Sequence, residues 1–245
     1  MAGTSQSMSR TTMQRLLVRP KSLTDLAHDS IRQLIVGGEL AMGEQLSEAT
    51  LAAQLGISKT PVREALLRLR VDGLIEIQPQ RGTFVFSLTS RQVEEICAFR
   101  EVVEVSAVKL AMEARRPGLV KALQANVREM ALARKTADWE AIRQLDEAFH
   151  EAIVAHCDNV YLQQAHQLIA SKIGALRARL PRQDEQVGHC QQNHAAILAL
   201  LREGRVAATQ RALALHIRDT LASYRLASNL GDVAEPGVAS RGGPR

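Results

Sequence analysis

A chain of 245 residues with 46% hydrophobic content is long enough for one or two domains with a sizeable buried core. Its apolar residues fall in short periodic groups, and no run approaches the ~18 to 20 residues that a bilayer-spanning helix needs, so no membrane segment is expected. The net charge of +5 permits a polyanionic partner without requiring one, and three widely spaced cysteines (Cys97, Cys157, Cys190) point away from a disulfide framework and toward a reducing, cytoplasmic setting.

Residues 1–21 scatter Arg10, Arg15, Arg19 and Lys21 among Ser, Thr and Gln without periodicity, and they read as a basic tail lacking the apolar stretch of a secretory signal. From Thr24, the positions Leu26, Ile31, Leu34 and Ile35 repeat at helical spacing until the Gly37-Gly38 pair, with Ser22 or Thr24 as cap. Ser47 opens a second, short helix carrying Leu51, Ala52 and Leu55, and Gly56 ends it. The third, SKTPVREALLRLRVDG (58–73), places Pro61 in its first turn and keeps Val62, Ala65, Leu66 and Leu69 on one face. Residues 58–70 are basic, with Lys59, Arg63, Arg68 and Arg70 against the single acid Glu64. The β-prone runs LIEI (74–77) and TFVF (83–86) flank QPQRG and predict a hairpin with a basic tip.

Beyond Ser90 the β signal ends, and six helical stretches are predicted at 91–114, 118–135, 138–156, 159–180, 184–203 and 205–228. The Gly- and Pro-containing segment 230–245 reads as an unstructured tail. The expected fold is mainly α. A winged helix-turn-helix with a small β-hairpin wing covers 22–88, and an all-α bundle covers 89–229.

Two short helices joined by a tight turn, the second one basic, suit double-stranded DNA, because a helix fits the major groove and its N-terminal residues reach base edges. Lys59, Thr60 and Arg63 stand on the leading turn of that helix. Arg81 and Gly82 at the wing tip are placed to reach the adjacent minor groove. A basic helix alone is weak support, since any amphipathic helix shows surface Lys and Arg; the order helix, helix, basic helix, hairpin is far more specific. The stretch 46–85, with its Thr60-Pro61-Val62-Arg63-Glu64-Ala65-Leu66 core, Asp72-Gly73-Leu74 step and Arg81-Gly82-Thr83-Phe84-Val85 wing, resembles the winged helix-turn-helix of the GntR family. The resemblance implies that Lys59, Thr60, Arg63 and Gly82 contact operator DNA. Ala49 departs from it, where relatives often carry an arginine that touches a phosphate. Because one short recognition helix reads few base pairs, a homodimer on an inverted-repeat operator is expected.

In the second half, Asp146 and His150 lie four apart, which puts both side chains on one helix face at a chelating spacing. His194 and His216 each sit on a helix beside apolar positions. Three nitrogen donors and one carboxylate suit a divalent ion such as Zn²⁺, Ni²⁺ or Mn²⁺. Spacing alone leaves open the ordinary alternative of packed, hydrogen-bonded histidines and a helix-stabilising Asp-His pair. Residues 92–222 also resemble the FCD ligand-binding domain of the FadR-type branch, through Phe99-Arg100-Glu101, the Asp146-x-x-Phe149-His150 pattern, Asn159 and the two later histidines.

That resemblance implies Asp146, His150, His194 and His216 as metal ligands and a small carboxylate effector near the ion. Arg100 is the first cationic candidate to meet it and Arg177 and Arg179 the next, although each could equally be an exposed or salt-bridged helix arginine. Six helices rather than seven are closer to the VanR-type subgroup, which disfavours a long acyl-CoA. Asn193 replaces the glutamate that relatives usually place before this histidine. His189 is a candidate neighbour of the ligands, His28, His156 and His166 have no comparable context, and the three cysteines read as core or surface thiols. The reading as a whole is a regulator, expected to be a repressor released from DNA by its effector. Two alternatives are a sensor whose effector is the ion itself and a metal-dependent hydrolase; against the latter, no nucleophile-base pattern or phosphate loop accompanies the cluster.

Overall fold

The computed structural model describes residues 20–180 and 184–229. The expected tail at 230–245, residues 1–19 of the other tail, and the break at Pro181 lie outside the described residues.

Helix α1 (Leu23–Gly37) starts at a capping box, in which the Ser22 hydroxyl accepts from the Asp25 backbone and the Asp25 carboxylate accepts from that of Ser22. It stops at Gly38, whose φ of 86° is the left-handed conformation that favours glycine at this position. A two-residue strand β1 (Gln45–Leu46) leads into α2 (Glu48–Leu55), capped by Ser47, and then α3 (Lys59–Val71). The hairpin follows as β2 (Ile75–Gln78) and β3 (Gly82–Val85), antiparallel with Ile75 opposite Val85 and Gln78 opposite Gly82.

Strand β1 was not expected from the sequence; it pairs with β3 to make a three-stranded sheet of order β1-β3-β2. Only Leu46 of its two residues is buried, so it carries no alternation to read. Gly82 has φ 123°, and a Cβ there would stand 2.8 Å from Gln45 Nε2, which itself donates to the Arg81 carbonyl. The left-handed φ of the turn therefore favours glycine at this position before any contact with DNA is considered, while the Gln45 amide, at the end of a flexible side chain, could move aside.

Six helices follow, close to the expected bounds: α4 (Ser90–Ala114), α5 (Arg116–Lys135), α6 (Trp139–Ala155), α7 (Val160–Ala178), α8 (Asp184–Arg202) and α9 (Val206–Asn229). Helix α5 begins two residues earlier than its pattern predicts because Pro117 sits inside its first turn, where its missing N–H has no partner to lose. Asn159 caps α7 by accepting from the Tyr161 and Leu162 backbones. Among the described residues no helix is long and apolar enough to cross a membrane.

Two apolar cores result. One joins Phe149, Ile153, Ile197, Leu201, Leu213 and Ile217 inside the helical bundle. The other is continuous across the two halves of the chain: Ile31, Ile35, Leu66 and Leu69 share it with Ile169, Ile173 and Leu176 of α7 and Tyr224 of α9. Gly174 permits that approach, since a Cβ on it would stand 2.8 Å from Val36 Cγ1. Polar links cross the same seam. Arg32 donates to the Ser171 hydroxyl, and the Arg179 guanidinium, which also bonds the Ala175 carbonyl of its own helix, donates to the carbonyls of Ile35 and Leu40.

Candidate metal centre and DNA-facing surface

Lys59 and Thr60 occupy the exposed first turn of α3, and Arg63 and Arg81 are exposed as well. Ser58 makes no side-chain capping bond to that turn, so no serine oxygen covers its leading N–H groups, an arrangement that favours an anion there. Arg63 is not free-standing: its guanidinium forks onto the Glu48 carboxylate of α2, with Nε at 3.0 Å from Oε1 and Nη2 at 2.8 Å from Oε2. Contact with a phosphate or base has to exchange that partner.

The helical bundle brings Asp146, His150, His194 and His216 together, with one ligand atom from each within 4.8 Å of all the others. The three histidines are buried and come from three helices, α6, α8 and α9. His216 Nε2 lies 3.2 Å from both His150 Nε2 and His194 Nε2, and His194 Nε2 lies 3.4 Å from Asp146 Oδ1. Donors at metal bonds of ~2.0 to 2.2 Å stand about 2.8 to 3.1 Å apart along the edges of an octahedron and about 3.3 to 3.6 Å along those of a tetrahedron. These three separations fall within the span of such edges.

The neighbours fix the tautomer of one candidate ligand. Glu104 Oε2 sits 2.6 Å from His150 Nδ1, so a proton there donates to the carboxylate and leaves the Nε2 lone pair facing the cluster. Glu104 is fully buried; desolvation pushes its carboxyl up, but Arg100 and His150 outweigh this and hold it well below the usual range. Phe149 stacks on the His194 ring at 3.8 Å between centroids, restricting its orientation.

Burial, reinforced by nearby cations or imidazoles, lowers the three imidazoles to about 3. They are neutral near pH 7, the form that ligates a cation. Burial opposes ionisation of Asp146 too, yet the Arg177 guanidinium and the three histidines keep it below the ordinary carboxylate range. Three neutral nitrogens and one carboxylate, all convergent, form a donor set that fits a divalent ion.

A cavity of about 170 Å³ reaches this cluster at Asp146 and His216 and is lined also by Arg143, Arg177, Trp139 and Tyr224. The predicted cationic residues part company here. Arg177 lines the cavity and forms an ion pair with Asp146, while its Nε and Nη2 are buried without a directed hydrogen bond among the described residues. Arg100 does not line it: 1% exposed, it sits behind the histidines with Nε donating to Glu104 at 2.6 Å. Arg179 does not line it either, because its guanidinium is spent on backbone carbonyls at the seam between the two halves of the chain. Of the three candidate arginines for an effector, only Arg177 stands in the wall of this cavity.

Sequence reasoning missed four participants. Glu104 stands four residues after Arg100, a spacing that was there to be read. His166 lies 3.5 Å from the same carboxylate. Tyr224 closes the cavity from α9, and Cys190 contacts both Asp146 and His194. His189 lines the cavity but is exposed and faces Asp219 at 3.5 Å, while His28 bonds Asp72 and His156 bonds its own helix.

Residues 23–85 match the bacterial regulatory proteins of the gntR family, and residues 95–219, just over half of the chain, match the FCD domain. The chain belongs to the GntR family. Members with this pair of domains are FadR-type transcription regulators rather than enzymes, which removes the hydrolase alternative. The GntR-family chain is 37% identical to an HTH-type transcriptional regulator of Streptomyces ambofaciens over 51% of its own length and 52% of the relative's. With McbR, an HTH-type transcriptional regulator of Escherichia coli, it is 35% identical over 54% of its length and 60% of the relative's. With the gluconate operon transcriptional repressor of Bacillus subtilis it is 32% identical over 54% of either chain. These alignments thus span little more than half the length of the curated relatives. The solved structure of E. coli McbR/YncC superposes with a TM-score of 0.74 at 27% identity, covering 84% of this chain and 99% of that one.

Proposed function

We propose that this GntR-family chain is a DNA-binding transcription repressor, dimeric on an inverted-repeat operator, whose affinity for DNA is set by a small carboxylate held beside a divalent ion. The observation that carries the reading is the cavity: it reaches Asp146 and His216 at the donor cluster and is walled on another side by Gly37, the last residue of α1. One pocket therefore touches the metal-ligating residues and the DNA-reading half together.

The roles follow from position. Asp146, His150, His194 and His216 hold the ion, and Glu104 orients His150. The ion, when bound, offers a Lewis-acid position for one carboxylate oxygen. Arg177, already in the cavity wall, supplies a charge-assisted hydrogen bond to the same group. Its neighbours Ala178 and Leu180 also line the cavity, and between them Arg179 grips the carbonyls at the end of α1. A shift of this turn on effector binding is passed to α1 and changes the placement of α3 relative to its counterpart in the dimer. Lys59, Thr60, Arg63, Arg81 and Gly82 meet the operator. The repressor names carried by relatives such as the gluconate operon protein support the sign of regulation.

Fluorescence anisotropy on labelled DNA from upstream of the gene tests this, using protein stripped of metal and protein reloaded with Zn²⁺, Ni²⁺ or Mn²⁺, each against a panel of small carboxylates. Release from DNA by one acid, only with metal present, is expected. Release that tracks metal alone favours the metal-sensing alternative, and unchanged binding throughout overturns both.

A further inference from the structure

The donor cluster is built from paired positions one helical turn apart. Helix α6 contributes Asp146 and His150, and α8 carries a second such pair, Cys190 and His194. Cys190 Sγ lies 3.2 Å from Asp146 Oδ1, to which the thiol donates, and 3.9 Å from His194 Nε2. It stands at the edge of the four-residue set, outside the group of donors that lie within 4.8 Å of one another, and a zinc–sulfur bond of ~2.3 Å reaches further out than a zinc–nitrogen bond of ~2.0 to 2.1 Å. For angles between about 90° and 130° at such an ion, sulfur falls about 3.1 to 3.9 Å from its nitrogen and oxygen neighbours. Both observed separations lie within that span. The other two cysteines offer no counterpart: Cys97 and Cys157 are buried within the separate apolar cores.

We propose that Cys190 is a fifth protein ligand of the centre, giving an N₃OS donor set that selects a thiophilic ion, Zn²⁺, over Mn²⁺. The inference rests on reading the Asp146 and histidine cluster as a metal centre. On coordination the S–H bond is exchanged for a sulfur–metal bond, and the proton passes by way of the Asp146 carboxylate, which already accepts it, to water. The structural alternative is that the thiol only steadies Asp146 by hydrogen bonding, a service that a serine hydroxyl can also perform.

Cobalt distinguishes the two. Full-length protein is stripped, reloaded with Co²⁺, and its absorption spectrum recorded beside that of C190S, with circular dichroism melts confirming that the variant folds. A near-ultraviolet sulfur-to-cobalt charge-transfer band in the parent, lost in C190S while the visible ligand-field bands persist, supports the proposal. So does a weakening of Zn²⁺ binding by about tenfold or more in C190S with Mn²⁺ binding left within about threefold. Ligand-field bands with no sulfur band, and C190S binding Zn²⁺ like the parent, overturn the proposal and leave the metal centre standing. No ligand-field spectrum in either protein overturns the metal reading itself, and Cys190 with it.

Discussion

The two halves of the molecule each contain an arginine paired with a glutamate, in opposite surroundings. Arg63 and Glu48 meet at the surface, with side chains 63% and 33% exposed, whereas Arg100 and Glu104 are 1% and 0% exposed. The surface pair is screened by water and salt, and its partners separate readily. The buried pair cannot let go, because either charge left alone in the interior is strongly destabilising. The lesson is that the first arrangement leaves a cation able to exchange its partner, while the second fixes a carboxylate against a histidine and holds it there.

The comparison breaks first at Glu104. Replacing it with alanine strands the Arg100 guanidinium, whose Nη1 and Nη2 have no hydrogen-bond partner among the described residues, and is expected to cost about 3 to 5 kcal/mol in urea unfolding. A loss under 1 kcal/mol would mean that the pair is not a fixture. His194→Ala comes next. It removes a proposed ligand that lies between Asp146 and His216, and chelator competition should show metal affinity falling by about a hundredfold or more, with a milder loss of thermal stability in metal-free protein.

Arg63→Ala sharpens the other side. Operator binding weakens while the melting temperature stays with the parent, and the slope of log K against log salt falls by about 1 if Arg63 meets a phosphate. A large drop in melting temperature instead would make the surface pair structural. A separate effect, confined to the helical half, is one of pH. With the imidazoles lowered from 6.5 to about 3 in the folded chain, the unfolded chain takes up protons first as pH falls. Metal-free protein therefore loses stability progressively from about pH 6.5 down toward 3 and gains none above 7; urea midpoints at pH 7 and 5 in chelator check the sign.

How far each half was legible follows from how it is built. The DNA-reading half is contiguous, and its caps, glycines and apolar faces announce themselves within a few residues of the structure they specify: Ser22, Ser47, Gly56 and the face Val62, Ala65, Leu66, Leu69 all act locally. Strand β1 escaped because its register comes from β3, nearly forty residues away, and not from its own pattern. In the helical half, the i, i+4 rule exposed Asp146 with His150, but nothing local says which histidines of other helices face them. The same rule applied to Arg100 with Glu104 or Cys190 with His194 gives only candidates, since most such pairs lie on solvated faces. Arg179 shows the converse failure. A cation near a candidate site reads as a ligand contact until two carbonyls from the other half of the chain and one from its own helix are found to occupy it.

The core that runs unbroken from Ile31 and Leu69 to Ile173 and Tyr224 bears on how such proteins can be recombined. A DNA-reading segment cut at the junction before Ser90 and grafted onto an unrelated helical domain would carry away Ile35 and Val36 without the helix they pack on, and would leave Gly174 facing a foreign surface. Exchange of specificity between relatives is therefore expected to proceed residue by residue on α3 and the wing, where side chains point to solvent, and chimaeras should fold only when the partner of α1 travels with it.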